Sequence, residues 1–277
     1  MKKAVSAWAF ASSDVRECID KAKLAGFDGI ELAMDENGEI NAGTDQGGLK
    51  AIRSYAEGKG VSVHSLAHSQ CWKYSLAADD EGERRAAIEA VTAQIRAAEV
   101  LGASSVLVIP GGVSSVFRPG VAPVRYDVAY ERNLDAFGVL KHISEECGVF
   151  VGVENVWNGI FMSPLEMRDF VDKVGSPFVG AYFDVGNVLA FGRPEHWIDI
   201  LGKRIKKVHF KDFRLNSPGL EGFVDLLSGD VDWPAVAAAL RRTGYDGWCT
   251  AEMPPYRFFP EQVLYSASAA MDKIFTL

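Results

Sequence analysis

The sequence predicts an α/β fold: a single closed (β/α)8 barrel spanning residues 1–277 as one domain. Three observations predict it. Strand-like and helix-like patterns alternate eight times from end to end. The strands read as mostly continuous apolar runs, the pattern of parallel strands covered on both faces. The length of 277 residues also suits such a barrel, which commonly runs to about 250 residues as one unit. An open doubly wound sheet is the alternative. It is weakened because no GxGxxG turn follows the first strand, and no linker or low-complexity segment divides the chain.

The elements follow in order. Ala4 to Trp8 is a short strand. Asp14 to Ala25 is a helix with Ser13 as N-cap and Gly26 beyond its end. Phe27 to Ala33 (FDGIELA) is the second strand, ending near Glu31. A helix from about Gly47 to Lys59 stops at Gly60, and Val61 to Ala67 is the third strand. Glu81 to Leu101 is a long helix closed by Gly102. Ser104 to Pro110 (SSVLVIP) is the fourth strand, followed by Gly111 and Gly112. Tyr126 to Cys147 is a helix ended by Gly148, and Phe150 to Val156 (FVGVENV) is the fifth strand. Ser163 caps a helix to Val174, with Pro164 at its first position and Glu166 completing a capping box. Phe178 to Asp184 is the sixth strand, and Pro194 to Leu201 a short helix. Ile205 to Lys211 is the seventh strand, with turn-formers Asn216, Pro218 and Gly219 beyond it. Asp232 to Thr243 is a helix, Gly247 to Met253 the eighth strand, and Pro260 to Ile274 the closing helix.

Composition narrows the function. Hydrophobic content of 48%, charged content of 24% and a net charge of −8 describe a soluble globular chain without the basic surface that nucleic acid requires. No stretch approaches the ~20 apolar residues of a membrane span. Cys18, Cys71, Cys147 and Cys249 show no CxxC spacing. With no apolar signal segment, a reduced cytoplasmic protein is expected.

The polar residues at the strand ends carry the chemistry. In a (β/α)8 barrel these ends converge on one mouth. There the strand predictions place Glu154 on strand five, Asp184 on six, His209 on seven and Glu252 on eight. Any one of them alone reads as a solvated loop acid, an ion-pair partner or a satisfied sheet-edge histidine. Together, three clustered carboxylates repel unless a cation lies between them. Oxygen donors with a single imidazole suit one divalent ion: Mn²⁺ first, with Mg²⁺ or Co²⁺ as alternatives. Structural zinc would favour grouped Cys and His.

These motifs, Glu154 in GVENVW, Asp184 in FDVGN, His209 in VHFKDFR and Glu252 in TAEM, resemble the xylose-isomerase-like superfamily of TIM barrels, the sugar and sugar-phosphate isomerases and epimerases. The turn Gly229 to Trp233 (GDVDW) is similar too. The resemblance implies that the four residues hold one metal ion and that Glu154 and Glu252 form the acid/base pair. Many members carry a histidine three residues after the strand-six aspartate. Asn187 stands there instead and puts an amide where an imidazole would touch substrate. FDVGN resembles the branch that epimerises L-pentulose 5-phosphates at C3. The resemblance also implies a small sugar or sugar-phosphate substrate, no nucleic-acid or membrane partner, and a homo-oligomer. The expected chemistry is removal of a proton beside a carbonyl by one carboxylate and its return by the other. A bound metal stabilises the resulting enediolate.

Other residues are candidates for substrate contact. Arg214 matches a position that contacts substrate hydroxyls in the family; a rim salt bridge is the plain reading. Lys211 and Asp212 can support His209 or pair with ordinary acids. His64, at the end of strand three, lines the mouth or bonds a backbone carbonyl in the barrel wall. Trp8, Phe10, Trp72 and Trp157 wall the pocket or fill core. Pro110-Gly111-Gly112 offers backbone N–H groups to a phosphate or is a simple turn. Competing functions are a metal-dependent lyase or dehydratase using the same site for β-elimination, a repair endonuclease and a non-catalytic sugar binder. The endonuclease needs more histidine than the five present, and intact Glu154 and Glu252 argue against the binder.

Overall fold

The computed structural model describes every residue except Pro218, so the turn role expected of Pro218 lies outside the described residues. In chain order the elements are β1 (Lys2–Ser6), α1 (Val15–Leu24), β2 (Gly29–Met34), α2 (Gln46–Lys59), β3 (Ser62–His68) and α3 (Glu81–Leu101). Next come β4 (Ser105–Val108), α4 (Tyr126–Cys147), β5 (Phe150–Glu154), α5 (Pro164–Val174), β6 (Val179–Asp184), α6 (Pro194–Leu201) and β7 (Ile205–Phe210). The last are β8 (Asp212–Phe213), β9 (Phe223–Val224), α7 (Trp233–Arg242), β10 (Trp248–Ala251) and α8 (Gln262–Thr276). Among the described residues, eight parallel strands close in the order β1-β10-β7-β6-β5-β4-β3-β2. The expected (β/α)8 barrel is the fold.

The helices start and stop for local reasons. Carboxylates of Asp45, Asp80 and Asp232 each accept a backbone N–H at a helix N-terminus, filling donors that the helix leaves unpaired. Two caps differ from expectation. Asp14, not Ser13, caps α1 and accepts from the Glu17 N–H. Ser163 caps α5 through the Leu165 N–H, but Glu166 does not complete a capping box, because its carboxylate accepts the Tyr126 hydroxyl instead. Six of the eight barrel strands are one to three residues shorter than predicted. At β1, Ala7–Ala9 coil into a 3₁₀ turn, which lifts Trp8 to the mouth.

The sequence pattern did not reveal the β8–β9 hairpin. There Asp212 pairs with Val224 and Phe213 with Phe223, antiparallel, forming a flap after β7. The Asp212 carboxylate ties this flap down. It accepts the N–H groups of Phe213, Leu227 and Val231 and the Trp233 indole N–H. A Cβ on Gly229 would lie 2.1 Å from that carboxylate, so only glycine fits the turn. The GDVDW stretch is thus the socket for Asp212.

Phe137, Phe170 and Trp197 pack in the apolar core. The barrel interior is unusually polar. Tyr182 of β6 and His209 of β7 both reach Glu31 of β2, and His64 of β3 reaches Thr250 of β10. Partners on non-neighbouring strands meet only across the lumen. No helix among the described residues is long and apolar enough to cross a membrane.

Candidate active site

Strand register builds the site. Asp184 lies beside His209, and His209 beside Thr250, across adjacent strands. Glu154 ends β5 and Glu252 follows β10 by one residue. Glu154, Asp184, His209 and Glu252 each offer a ligand atom, and these atoms all lie within 4.8 Å of one another. His209 Nδ1 is 2.7 Å from Glu252 Oε2, 3.3 Å from Glu154 Oε1 and 3.8 Å from Asp184 Oδ2.

The donor set fits a divalent ion. Three buried or nearly buried carboxylates and one imidazole nitrogen meet at a point, and Asp184 Oδ2 and Glu252 Oε2 receive no well-formed hydrogen bond there. Lys211 Nζ lies 3.2 Å from the first and 2.7 Å from the second. Its ammonium partly offsets a charge that this pocket would not otherwise tolerate. Burial lowers the lysine's basicity, but Asp184, Glu252 and Glu154 outweigh that and hold it protonated. Burial also raises Glu154, to about 7, with Glu252 adding to the rise. Burial acts on Glu252 in the same sense, yet Lys211 and His209 beside it pull its carboxyl far below the usual range. The two glutamates are therefore biased in opposite directions.

Four residues absent from the sequence-based site complete it. Glu31, fully buried in β2, places Oε1 3.0 Å from His209 Nε2 and accepts the Tyr182 hydroxyl on its other oxygen. A carboxylate on the far ring nitrogen is the usual device for orienting a metal-binding histidine. Its signal was an acid inside the apolar run GIELA. Asn155 brackets Asp184, accepting its N–H and donating to its carbonyl. His68 ends β3 and lines the cavity, 4% exposed, with neither ring nitrogen hydrogen-bonded.

The expected substrate residues divide. Lys211, Asn187 and Trp157 line the cavity. The Asn187 N–H donates to Asp184 Oδ1 and its carbonyl accepts the Trp157 indole N–H, so this residue also fixes the wall. Trp8 and Trp72 line the cavity as well, but Phe10 does not. His64 is not at the mouth. It sits mid-strand, deep in the lumen, stacked on Trp248 at 4.8 Å and 3.2 Å from the Thr250 hydroxyl; β3 runs four residues further, and His68 takes the rim position. Arg214 is exposed and donates to the Ser228 carbonyl at 2.8 Å, because the flap turns it away from the cavity. Asp212 anchors the flap, and the four hydrogen bonds its carboxylate accepts come from Phe213, Leu227, Val231 and Trp233. The Gly111 N–H is already donated to the Asn133 side chain, so it is not free for a phosphate.

Above the carboxylates opens a cavity of about 820 Å³. Aromatic pairs build its walls: Trp72 with Phe117 at 4.5 Å and Trp157 with Phe223 at 5.1 Å.

Comparison with known proteins agrees with this architecture. A putative L-ribulose-5-phosphate 3-epimerase, SgbU of Escherichia coli K12, is 26% identical over 246 residues, covering 84% of this chain and 81% of that one. A D-psicose 3-epimerase from Clostridium cellulolyticum H10, solved with D-tagatose, superposes with a TM-score of 0.79 at 17% identity, over 99% and 98% of the two chains. A 3-keto-D-glucoside 4-epimerase, YcjR of E. coli, superposes at 0.77 with 18% identity over the whole of both. At such identities the structural likeness speaks for the fold. The model of the xylose isomerase-like TIM barrel matches residues 19–274, and the chain belongs to that family.

Proposed function

We propose that the chain is a divalent-metal-dependent sugar epimerase that inverts a carbon next to a ketone. One observation carries the reading: four donor atoms from Glu154, Asp184, His209 and Glu252 converge within 4.8 Å of one another, and Glu154 and Glu252 among them line a large cavity. The names of the relatives support it, since epimerisation of a sugar is common to them.

The four residues would hold the ion, which when bound supplies Lewis-acid stabilisation of charge on the ketone oxygen. The protein's own groups do the rest. One of Glu154 and Glu252 takes the proton from the carbon beside the ketone. The other returns a proton to the opposite face of that carbon, which inverts it. Lys211 keeps negative charge tolerable in the closed floor, and Asn155 with Asn187 fixes Asp184. Trp157 and its aromatic neighbours keep water from the carbanion.

The test is solvent exchange. The protein is incubated with Mn²⁺ in D₂O and a panel of pentuloses, hexuloses, their phosphates and ring-oxidised glycosides, and NMR follows deuterium at the carbon next to the ketone. Exchange with a member of the panel is expected, and no exchange with any of them would reject the reading. Release of a leaving group without an epimer would assign the site to β-elimination.

A further inference from the structure

Resting on that reading, the cavity narrows the substrate. We propose that the site takes an uncharged glycoside bearing a ketone within its sugar ring and an apolar group at the anomeric carbon, in preference to a phosphorylated ketose.

Size is the first ground. About 820 Å³ lies in the upper part of the ~300–1,000 Å³ range that encloses drug-sized ligands. A five-carbon sugar phosphate resting on the carboxylates would leave much of it to water. The second ground is surface. Trp72, Phe117, Trp157, Phe223 and Leu220 wall the space beyond the floor, where a charged phosphate would lose hydration with little return. Aromatic faces suit the apolar faces of a sugar ring and an aryl or alkyl aglycone.

Charge is the third ground. Among the described lining residues Glu154, Asp212, Asp225 and Glu252 are acids, against the cations Lys211 and Arg257. Lys211 is already engaged by Asp184 and Glu252, and Arg257 is exposed at the rim. His68 offers an unpaired imidazole into the cavity. Burial depresses its basicity, so it presents a neutral donor and acceptor suited to a hydroxyl.

The chemistry then sets where the ketone must be. A glycoside's anomeric carbon is locked as an acetal and cannot open to a carbonyl. The acidic C–H must therefore adjoin a ketone inside the ring. One carboxylate removes that proton, and the C–H electron pair forms a C=C bond as the ketone oxygen gains charge. The second carboxyl protonates the opposite face and the ketone is restored. No electron is gained or lost overall and the aglycone bond stays intact. The ring ketone itself can only come from two-electron oxidation of a secondary hydroxyl. The reaction supplying this substrate is thus an alcohol dehydrogenation on an intact glycoside.

The experiment compares phenyl and methyl 3-keto-glucosides, as both anomers, with L-ribulose 5-phosphate and D-tagatose, using Mn²⁺-loaded protein in D₂O. The phenyl compound is expected to exchange and epimerise with kcat/KM at least tenfold above the phosphate. It should exceed the methyl compound several-fold, chiefly through KM, and Trp72→Ala should bring that ratio towards one. Faster turnover of the phosphate or the free ketose overturns the substrate assignment and leaves the epimerase reading standing. Release of phenol without an epimer overturns it in favour of elimination. Exchange with none of them overturns both.

Discussion

Glu31 gives the sharpest test of how the metal site is built. Its carboxylate fixes His209 with Nε2 protonated, which leaves the Nδ1 lone pair facing Glu154, Asp184 and Glu252. Glu31→Leu removes that constraint from a fully buried position. Loss of such a partner typically weakens metal binding by ~10–100-fold, or about 1.4–2.7 kcal/mol. The change also orphans the Tyr182 hydroxyl, at a further cost of about 1–3 kcal/mol in stability. Tyr182→Phe in the same chain separates the two effects. The double variant should recover part of the stability but none of the metal affinity. Isothermal titration with Mn²⁺ and urea unfolding read the two quantities. Wild-type Mn²⁺ affinity in a folded Glu31→Leu protein would refute the orienting role.

Three further outcomes are expected. Glu252→Gln should fold, yet lose solvent exchange by ~10²–10⁴-fold, as NMR in D₂O would show; retained exchange would remove Glu252 from the acid/base pair. Lys207 is buried in β7 with its ammonium on Ser104, and burial depresses it to about 8. Between that value and the ordinary ~10.4 the unfolded chain holds the proton the native state has lost, so stability rises with pH across this window. Lys207→Met should thus stabilise by up to about 3 kcal/mol at pH 7 and by much less at pH 10 in urea melts, and an equal gain at both would contradict the account. Asp212→Asn sets an amide NH₂ against the Leu227 N–H and the Trp233 indole N–H. It should cost at least about 1–3 kcal/mol in the same melts, and an unchanged midpoint would show that Asp212 is not the flap's anchor.

The chain's periodicity was enough to read the barrel. Apolar runs of strand length alternate with helices eight times, most of the helices with Asp or Ser before them and Gly after. Each signal is local, so neighbours in sequence carry it. The strand-end acids were legible for the same reason: a carboxylate closing an apolar run is visible without knowing what faces it. His64 shows where that logic stops. Its expected place is the rim although the predicted strand runs on to Ala67, and β3 ends one residue later still, at His68; depth in a barrel depends on the distance from that end. Arg214 fails similarly, since the flap that turns it outward closes through Asp212 and residues up to Trp233.

What the sequence by itself determined was that Glu154, Asp184, His209 and Glu252 stand at the carboxyl ends of four successive barrel strands, and hence a mouth rich in acid. Only the tertiary structure decided which groups meet across the lumen, Glu31 and Tyr182 with His209, and how wide and apolar the cavity above them is. The physical reason is the range of the determinants. Strand and helix are set by side chains a few positions apart. Cross-barrel contacts and cavity volume depend on strand register and loop closure, which bring together residues more than a hundred positions apart, as Glu31 is from His209.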